Sequence, residues 1–408
     1  MKQIRASGRT NVTLQAAVDK AARAGGGTVE IPAGTYRMDD ALHLRTGVHI
    51  VGEPGTILRK VPSVSSALVP WVGYGQFEFQ VKEPGKFKVG MGVTIGDKNA
   101  FGFYETVATI VGREGDTFFI DRPFAHDYSP PAGALVRSTF SLISGHNVTD
   151  TSIRQLTLDG NPQEKVGING CRGGGINLLG AHRVVIEGVE VTNFNGDAIS
   201  FQRGTDIFVR HCHVHHNKGS GLHPGSGTVR YVMTDNCSEH NSGCGIFYCL
   251  RTKYSNCEHN FIAHNGRAGI SVGERDTNHM LRHNHITDNG GPGIHLREPF
   301  LETGDRLWIE GNELANNGGA AEIVLDRDVH QLCIIGNEIR PRTGKALLVG
   351  PGCSEIYFAE NTCAVIAGKK RSVRLQKPRK FPAVGPEAAP LDAARHINIS
   401  KLPRWKNR

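Results

Sequence analysis

The chain has 408 residues, enough for one large solenoid with appendages, and 51 of them are glycine, as expected where a backbone turns often. Its net charge of +8 sits near the end: from Gly368 to Arg408 there are 12 Lys and Arg against two acids, so the body is close to neutral. That distribution argues against a surface built throughout for nucleic acid, and no apolar run approaches a membrane span.

The start, MKQIRASGRT, does not read as a signal peptide. Residues 13–24 (TLQAAVDKAARA) predict a helix with Leu14, Val18, Ala21 and Ala22 on its apolar face, ended by Gly25 at the C′ position. TVEIPAGTYRM and ALHLRTGVHIVGEPGTILR follow as strands with Gly turns, giving a first region, 1–60, of helix and first coils. Residues 61–140 break the pattern. FEFQVKEPGKFKVGMGVTIGD and TVATIVGREGDTFFIDRPF read as β-hairpins, so this region is expected to be an inserted β-rich subdomain that forms either a cleft wall or a brace.

From 141 to 367 the sequence repeats. Apolar residues recur at Ile176, Ile199, Leu222, Ile246, Ile270, Ile294, Ile323 and Leu347, in steps of 23 to 29 residues. A period of this size means stacked units that cannot bury a core alone. Each run alternates with period two, which predicts strands. Asn217, Asn241, Asn265, Asn289 and Asn317 form one column, and Asn236, Asn260, Asn284, Asn312, Asn337 and Asn361 another. Asn accepts tight turns, and its amide can bond to the same amide one layer up. The expected fold is therefore all-β: a right-handed parallel β-helix of about three short strands per coil, with layers roughly 4.8 Å apart. Nine Cys without a CxxC pair read as structural thiols. Residues 368–408 form a basic, Pro-containing tail with no further strands expected.

Stacking turns sequence columns into surface rows. One position after the repeating apolar residue, Asn177, Ser200, His223, Phe247, Ser271 and His295 point outward. Three positions after it come Gln202, Gly225, Cys249, Gly273, Arg297 and Asp326, and the following turn carries Arg203, Arg251, Glu274, Arg275, Asp276, Glu298, Arg327 and Asp328. One face thus gathers histidines, arginines and carboxylates. His223 is a candidate general base. Glu274 and Glu298 fall in one column, about 5 Å apart at Cα, which suits an acid–base pair unless Arg275 and Arg297 neutralise them. The arginines, with Gln202, His295, Asp326 and Arg327, suit a substrate bearing carboxylates. HCHVHHN puts His213 and His215 on one side of a strand, as two zinc ligands need, but His216, His240 and His264 read as stacked turn residues, so no metal ligand is assigned. No cofactor is required; calcium would use Asp326 and Asp328.

The predicted helix with GGGTVEIPAGTY and GVHIVGEPGTIL, followed by the coils, resembles the pectate-lyase-like β-helix superfamily over about 300 residues; its members include polysaccharide lyases, polygalacturonase-type hydrolases and tailspike-like proteins. The resemblance implies that the helix caps the open end of the stack, and it favours an extracellular or periplasmic protein with a polysaccharide or oligosaccharide partner, as a homo-oligomer in the tailspike case. GDAIS at 196–200 resembles the Asp-bearing strand of polygalacturonase-type hydrolases, which makes Asp197 a candidate catalytic residue, and His223-Pro224 resembles part of the Asp-Pro-His motif of alginate epimerases. Three functions follow as expectations. The first is a lyase or epimerase on a uronate glycan, with His223 or an arginine as base and Arg275 and Arg297 on the carboxylate. The second is a glycoside hydrolase using Glu274, Glu298, Asp197 or Asp326. The third is a non-catalytic glycan-binding or structural β-helix.

Overall fold

The computed structural model describes residues 3–298, 303–342 and 344–363. The basic tail, and the last few residues of the predicted coil region, lie outside the described residues. Three parallel sheets of 12, 11 and 10 strands run the length of the stack. The ten-stranded sheet positions the site. Its strands are β1 (Leu42–His43), β2 (Ile143–His146), β3 (Ile176–Leu179), β4 (Ile199–Gln202), β5 (Leu222–Gly225), β6 (Ile246–Phe247), β7 (Ile270–Val272), β8 (Ile294–Leu296), β9 (Ile323–Leu325) and β10 (Leu347–Val349). Each lies beside the next, parallel, in chain order.

The register is the one the repeat predicts. Ile176 pairs with Ile199, then Leu222, Ile246, Ile270, Ile294, Ile323 and Leu347 in turn. Every one of these but the last is fully buried, because a one-residue slip would turn the whole apolar set outward. They join residues of the other two sheets in a single core running through the coils.

Both Asn columns are continuous ladders. Asn217 Nδ2 donates to Asn241 Oδ1 at 2.9 Å, and the pattern continues through Asn265 and Asn289 to Asn317. The second ladder runs from Asn236 through Asn260, Asn284, Asn312 and Asn337 to Asn361. Each Oδ1 also accepts a backbone N–H from the coil before, as Asn260 does from Asn236 at 3.0 Å, and the second Nδ2 proton meets a carbonyl such as Met233 O at 2.9 Å. Buried amides are thereby satisfied at the corners, where the backbone cannot pair as a strand.

Helix α1 (Asn11–Arg23) starts at Thr10, whose side chain and that of Thr13 form a reciprocal capping box, and stops at Ala24 ahead of Gly25 at φ +86°. Leu14, Ala17, Val18 and Ala21 are buried and belong to the same core as the coils. No helix is long and apolar enough to cross a membrane among the described residues.

Between Lys60 and β2 the chain forms a six-stranded sheet with its own core, including Phe79, Phe87, Ile95, Phe118, Phe124 and Tyr128. One predicted hairpin is present: Thr106–Glu114 pairs antiparallel with Thr117–Ile120. The other differs. Glu78–Gln80 pairs with Thr117–Ile120, whereas Gly92–Gly96 pairs with Thr106–Glu114, so the two halves of that stretch lie on opposite sides of the real hairpin. The 3₁₀ turn Pro84–Lys86 separates them, and the loop is too long to fix a local register.

Candidate functional site

The row of the ten-stranded sheet that faces away from the core reads His43, Ser144, Asn177, Ser200, His223 along paired positions, and then Phe247, Ser271, His295 and Val324. Ser144, Asn177, Ser200, His223 and Ser271 are buried rather than exposed as expected, because other segments cover them, as Gly170 does Ser200 and Arg297 does Ser271. Asp197 enters from the corner before β4. Its Oδ1 accepts the Ser220 N–H at 2.6 Å and its Oδ2 lies 2.5 Å from His223 Nδ1. His223 is only 3% exposed. Burial presses its pKa down, but the Asp197 carboxylate and the neighbouring Cys249 sulfur outweigh it and hold it up at about 9. Asp197 thus fixes the ring so that Nε2 faces away from it, buried, with no oxygen or nitrogen acceptor in reach.

Nε2 looks toward two sulfurs. Cys249 follows β6, opposite Gly225 of β5. Cys171 comes from the Gly-rich segment 166–175, which crosses the face here. Its contact with Cys171 is the largest influence on Cys249, followed by burial in the opposite sense and by His223; the net result lowers the thiol below its ordinary range. The Cys171 thiol is pushed up by the same contact. Gly170 is required at this crossing, because a Cβ there would run into the Asp197 carboxylate and within 2.5 Å of His223 Nδ1. Its carbonyl accepts the Ser200 hydroxyl at 2.5 Å.

The segment is anchored from below. Glu164, buried, takes Lys60 Nζ at 2.5 Å, the Ser63 hydroxyl at 2.6 Å and the backbone N–H groups of Ser63 and Val166. Lys60 ends the coil before the inserted sheet, so one ion pair joins coil, insert and crossing segment.

Arg297 folds back over the face rather than reaching out. Its guanidinium lies 4.4 Å from the centroid of Phe247, and donates to Ser271 Oγ at 2.6 Å and to the Tyr248 carbonyl at 3.0 Å. Gly273 leaves the room it occupies. Two residues earlier, within β8, His295 is half-buried and its Nε2 lies 2.9 Å from Asp326 Oδ2. The same oxygen accepts the Glu298 N–H at 3.0 Å.

The other predicted residues are distributed around this centre. Glu274 pairs with Arg275 at 3.0 Å and Glu298 with Arg327 at 3.0 Å, so each carboxylate of the expected pair carries an arginine. The predicted partner of Glu298, Arg297, is held instead by Phe247 and its two acceptors. Arg203 and Arg251 are exposed at left-handed turn positions, φ 53° and 64°. Asp276 is fully buried, accepting from Thr252 N, Thr252 Oγ1 and Gly273 N; burial raises its pKa to about 6. It shapes the turn. Gln202 is buried and donates to Ser200 at 2.9 Å. Asp328 pairs with Arg327, and Asp326 with His295, so both carboxylates named for calcium are engaged.

Two features were not drawn from the sequence. Cys249 stood in the outward column but was read as a structural thiol, and Cys171 carried no signal beyond the glycines around it. The second feature is a small cleft between the inserted sheet and β1–β3, lined by Asp40, His43, Thr109, Arg122, His146 and Asn177. Thr109 Oγ1 donates to Asp40 at 2.8 Å, and Arg122 lies 3.2 Å from Nδ1 of the exposed His146.

A family model described as a right handed beta helix region matches residues 141–299. No curated protein matches the chain. Among solved structures, the A-module of the mannuronan C-5 epimerase AlgE6 of Azotobacter vinelandii is similar with a TM-score of 0.52 at 18% identity, covering 87% of this chain and 95% of that one. The AlgE4 A-module of the same organism gives 0.51 at 17% identity, covering 88% and 96%. ORF18 of Geobacillus virus E2 gives 0.58 at 11% identity, covering 89% of this chain and 62% of that one. At such identities the likeness is one of fold. With its coils in register through three parallel sheets, the chain has the fold of a right-handed parallel β-helix, and residues 141–299 match the model of that region.

Proposed function

We propose that this β-helix acts on an acidic polysaccharide bound over the ten-stranded sheet around β8 and β9, and that the reaction removes a proton beside a sugar carboxylate, as in β-elimination or epimerisation. The observation that carries this reading is the His295–Asp326 pair on that face, beside Arg297, which directly follows β8. Asp326 accepts the Nε2 proton, which leaves the Nδ1 lone pair as the base. Arg297 supplies a fixed cation for the carboxylate and for the charge that spreads onto it when the proton leaves. In elimination the glycosidic oxygen then departs with the bond pair; in epimerisation a proton returns to the opposite side of the same carbon. His223 suits the role of base less well, because it is nearly enclosed and its open nitrogen faces sulfur.

A face of ten strands spaced about 4.8 Å apart suits a polymer better than a small molecule. The fold shared with two mannuronan C-5 epimerase modules supports the substrate class. The test is a screen of acidic glycans read for ultraviolet absorbance, reducing ends and altered sugar stereochemistry. The expected outcome is an absorbance rise or a changed epimer ratio, lowered about 10²–10⁴-fold by His295→Ala and unaffected by Glu298→Gln. New reducing ends without absorbance would mean hydrolysis, and tight binding without any product would mean a binding module; either overturns the proposal.

A further inference from the structure

Cys171, His223 and Cys249 each offer one ligand atom, and the three atoms lie within 4.8 Å of one another. They come from three separate places: the crossing segment, β5 and the turn after β6. We propose that they form a binding site for a thiophilic divalent transition metal of the zinc class, with two thiolates and His223 Nε2 as ligands and a fourth position left open.

Four observations converge. First, the donor set is soft: two sulfurs and an imidazole select zinc-like ions over calcium or magnesium. Second, the histidine is already oriented as a ligand. Asp197 holds Nδ1 at 2.5 Å, the carboxylate–histidine arrangement that fixes the tautomer and raises the basicity of the nitrogen facing the metal. Third, that nitrogen is buried with no oxygen or nitrogen acceptor and meets only the Cys249 sulfur, a weak partner that a bound metal would replace. A disulfide between the two cysteines would leave it orphaned. Fourth, the crossing segment is built to deliver Cys171. Asn169 Oδ1 accepts the Cys171 N–H at 2.9 Å, Ser200 holds the Gly170 carbonyl, and Gly170 admits the close passage over Asp197. Two thiolates also offset the charge of a divalent ion.

A second group of potential ligands, Glu190, His213 and His215, lies on the eleven-stranded sheet. There His215 pairs with Glu190 at 3.0 Å and His213 with Glu239 at 2.9 Å, so the imidazoles already have anionic partners. It serves as the internal control.

The proposal does not depend on the glycan reading, and its test uses no glycan. The full chain is reduced, stripped with a chelator and titrated with Zn²⁺ against a chromogenic competitor, and with Co²⁺ followed by absorbance. The expected result is one tight equivalent per chain, with a thiolate-to-cobalt charge-transfer band and visible bands of tetrahedral intensity. Cys171→Ser and Cys249→Ser should each weaken that band and the affinity. Asp197→Asn should keep the stoichiometry but lose about 10–100-fold in affinity, which separates a loss of ligand from a loss of fold. His213→Ala should change nothing. The proposal fails if reduced protein binds no metal, if binding survives both cysteine substitutions, or if only His213→Ala removes it. It fails equally if the thiol count of native protein is short by two and Cys249→Ser restores one of them, because the pair is then a disulfide.

Discussion

The corners of the solenoid and its outward face are built from the same 24-residue step, yet they use it in opposite ways. At the corners every coil repeats one residue: Asn bonds to Asn through five and six layers. On the face hardly two adjacent layers agree: Ser200, His223, Phe247, Ser271 and His295 succeed one another. Uniformity satisfies buried backbone and amide groups alike in each layer. Variety brings unlike groups within reach of each other, as a pair of identical side chains could not. Where the repeat is kept the chain gains stability; where it is broken it gains chemistry.

The largest expected effect comes from removing the anchor that lets the irregular part sit on the regular one. Glu164→Ala leaves Lys60 buried without its anion, and should cost about 3–5 kcal/mol in denaturant unfolding. A cost near zero would mean that the crossing segment holds itself. Next is the ladder. Asn260→Ala removes the acceptor of the Asn236 N–H and Nδ2 groups and the donor to Met233 O, and should cost about 3 kcal/mol. The same change at the half-buried last rung, Asn361, should cost under about 1 kcal/mol; equal losses would show that position in the ladder does not matter.

Between the two rungs in size comes a pH dependence. His279 is buried, with Nδ1 2.8 Å from Ser255 Oγ and Nε2 3.3 Å from Thr252 Oγ1, and burial lowers its pKa to about 3 from the ordinary 6.5. The unfolded chain takes up this proton below 6.5 and the native chain does not. Stability is therefore complete above pH 6.5 and falls as the pH drops toward 3, by about 2 kcal/mol on reaching pH 5. His279→Gln should remove that portion of the slope. An unchanged slope would show that His279 is protonated within the fold.

The coil architecture was legible because each layer writes the same message again: Ile199 alone suggests little, but Ile199 with Leu222, Ile246 and Ile270 specifies pairing and burial together. The face was legible as a row but not as contacts. Spacing brought His223 and Arg297 to the same surface, yet whether Arg297 meets Glu298 or stacks on Phe247 depends on a Gly at 273 that leaves room for it. The partnership of Asp197 with His223 crosses a corner, so no column contains both. Cys171 comes from a segment outside the period altogether, and such a position has no vertical neighbour to announce it. The inserted sheet was recognised by its broken period, but its pairing was not, because strands separated by long loops choose partners through their shared core.

The first Asn ladder stops at Glu322, whose two oxygens accept the Asn317 N–H at 3.1 Å and Nδ2 at 2.6 Å. Every amide before it donates in the same sense along the molecule, so the row has polarity, like a file of magnets laid head to tail. Rotating any single amide by half a turn would set oxygen against oxygen on one side and NH₂ against NH₂ on the other. The orientation is thus a collective choice of the whole file, and a carboxylate, which can only accept, is the one terminus that makes the choice unambiguous.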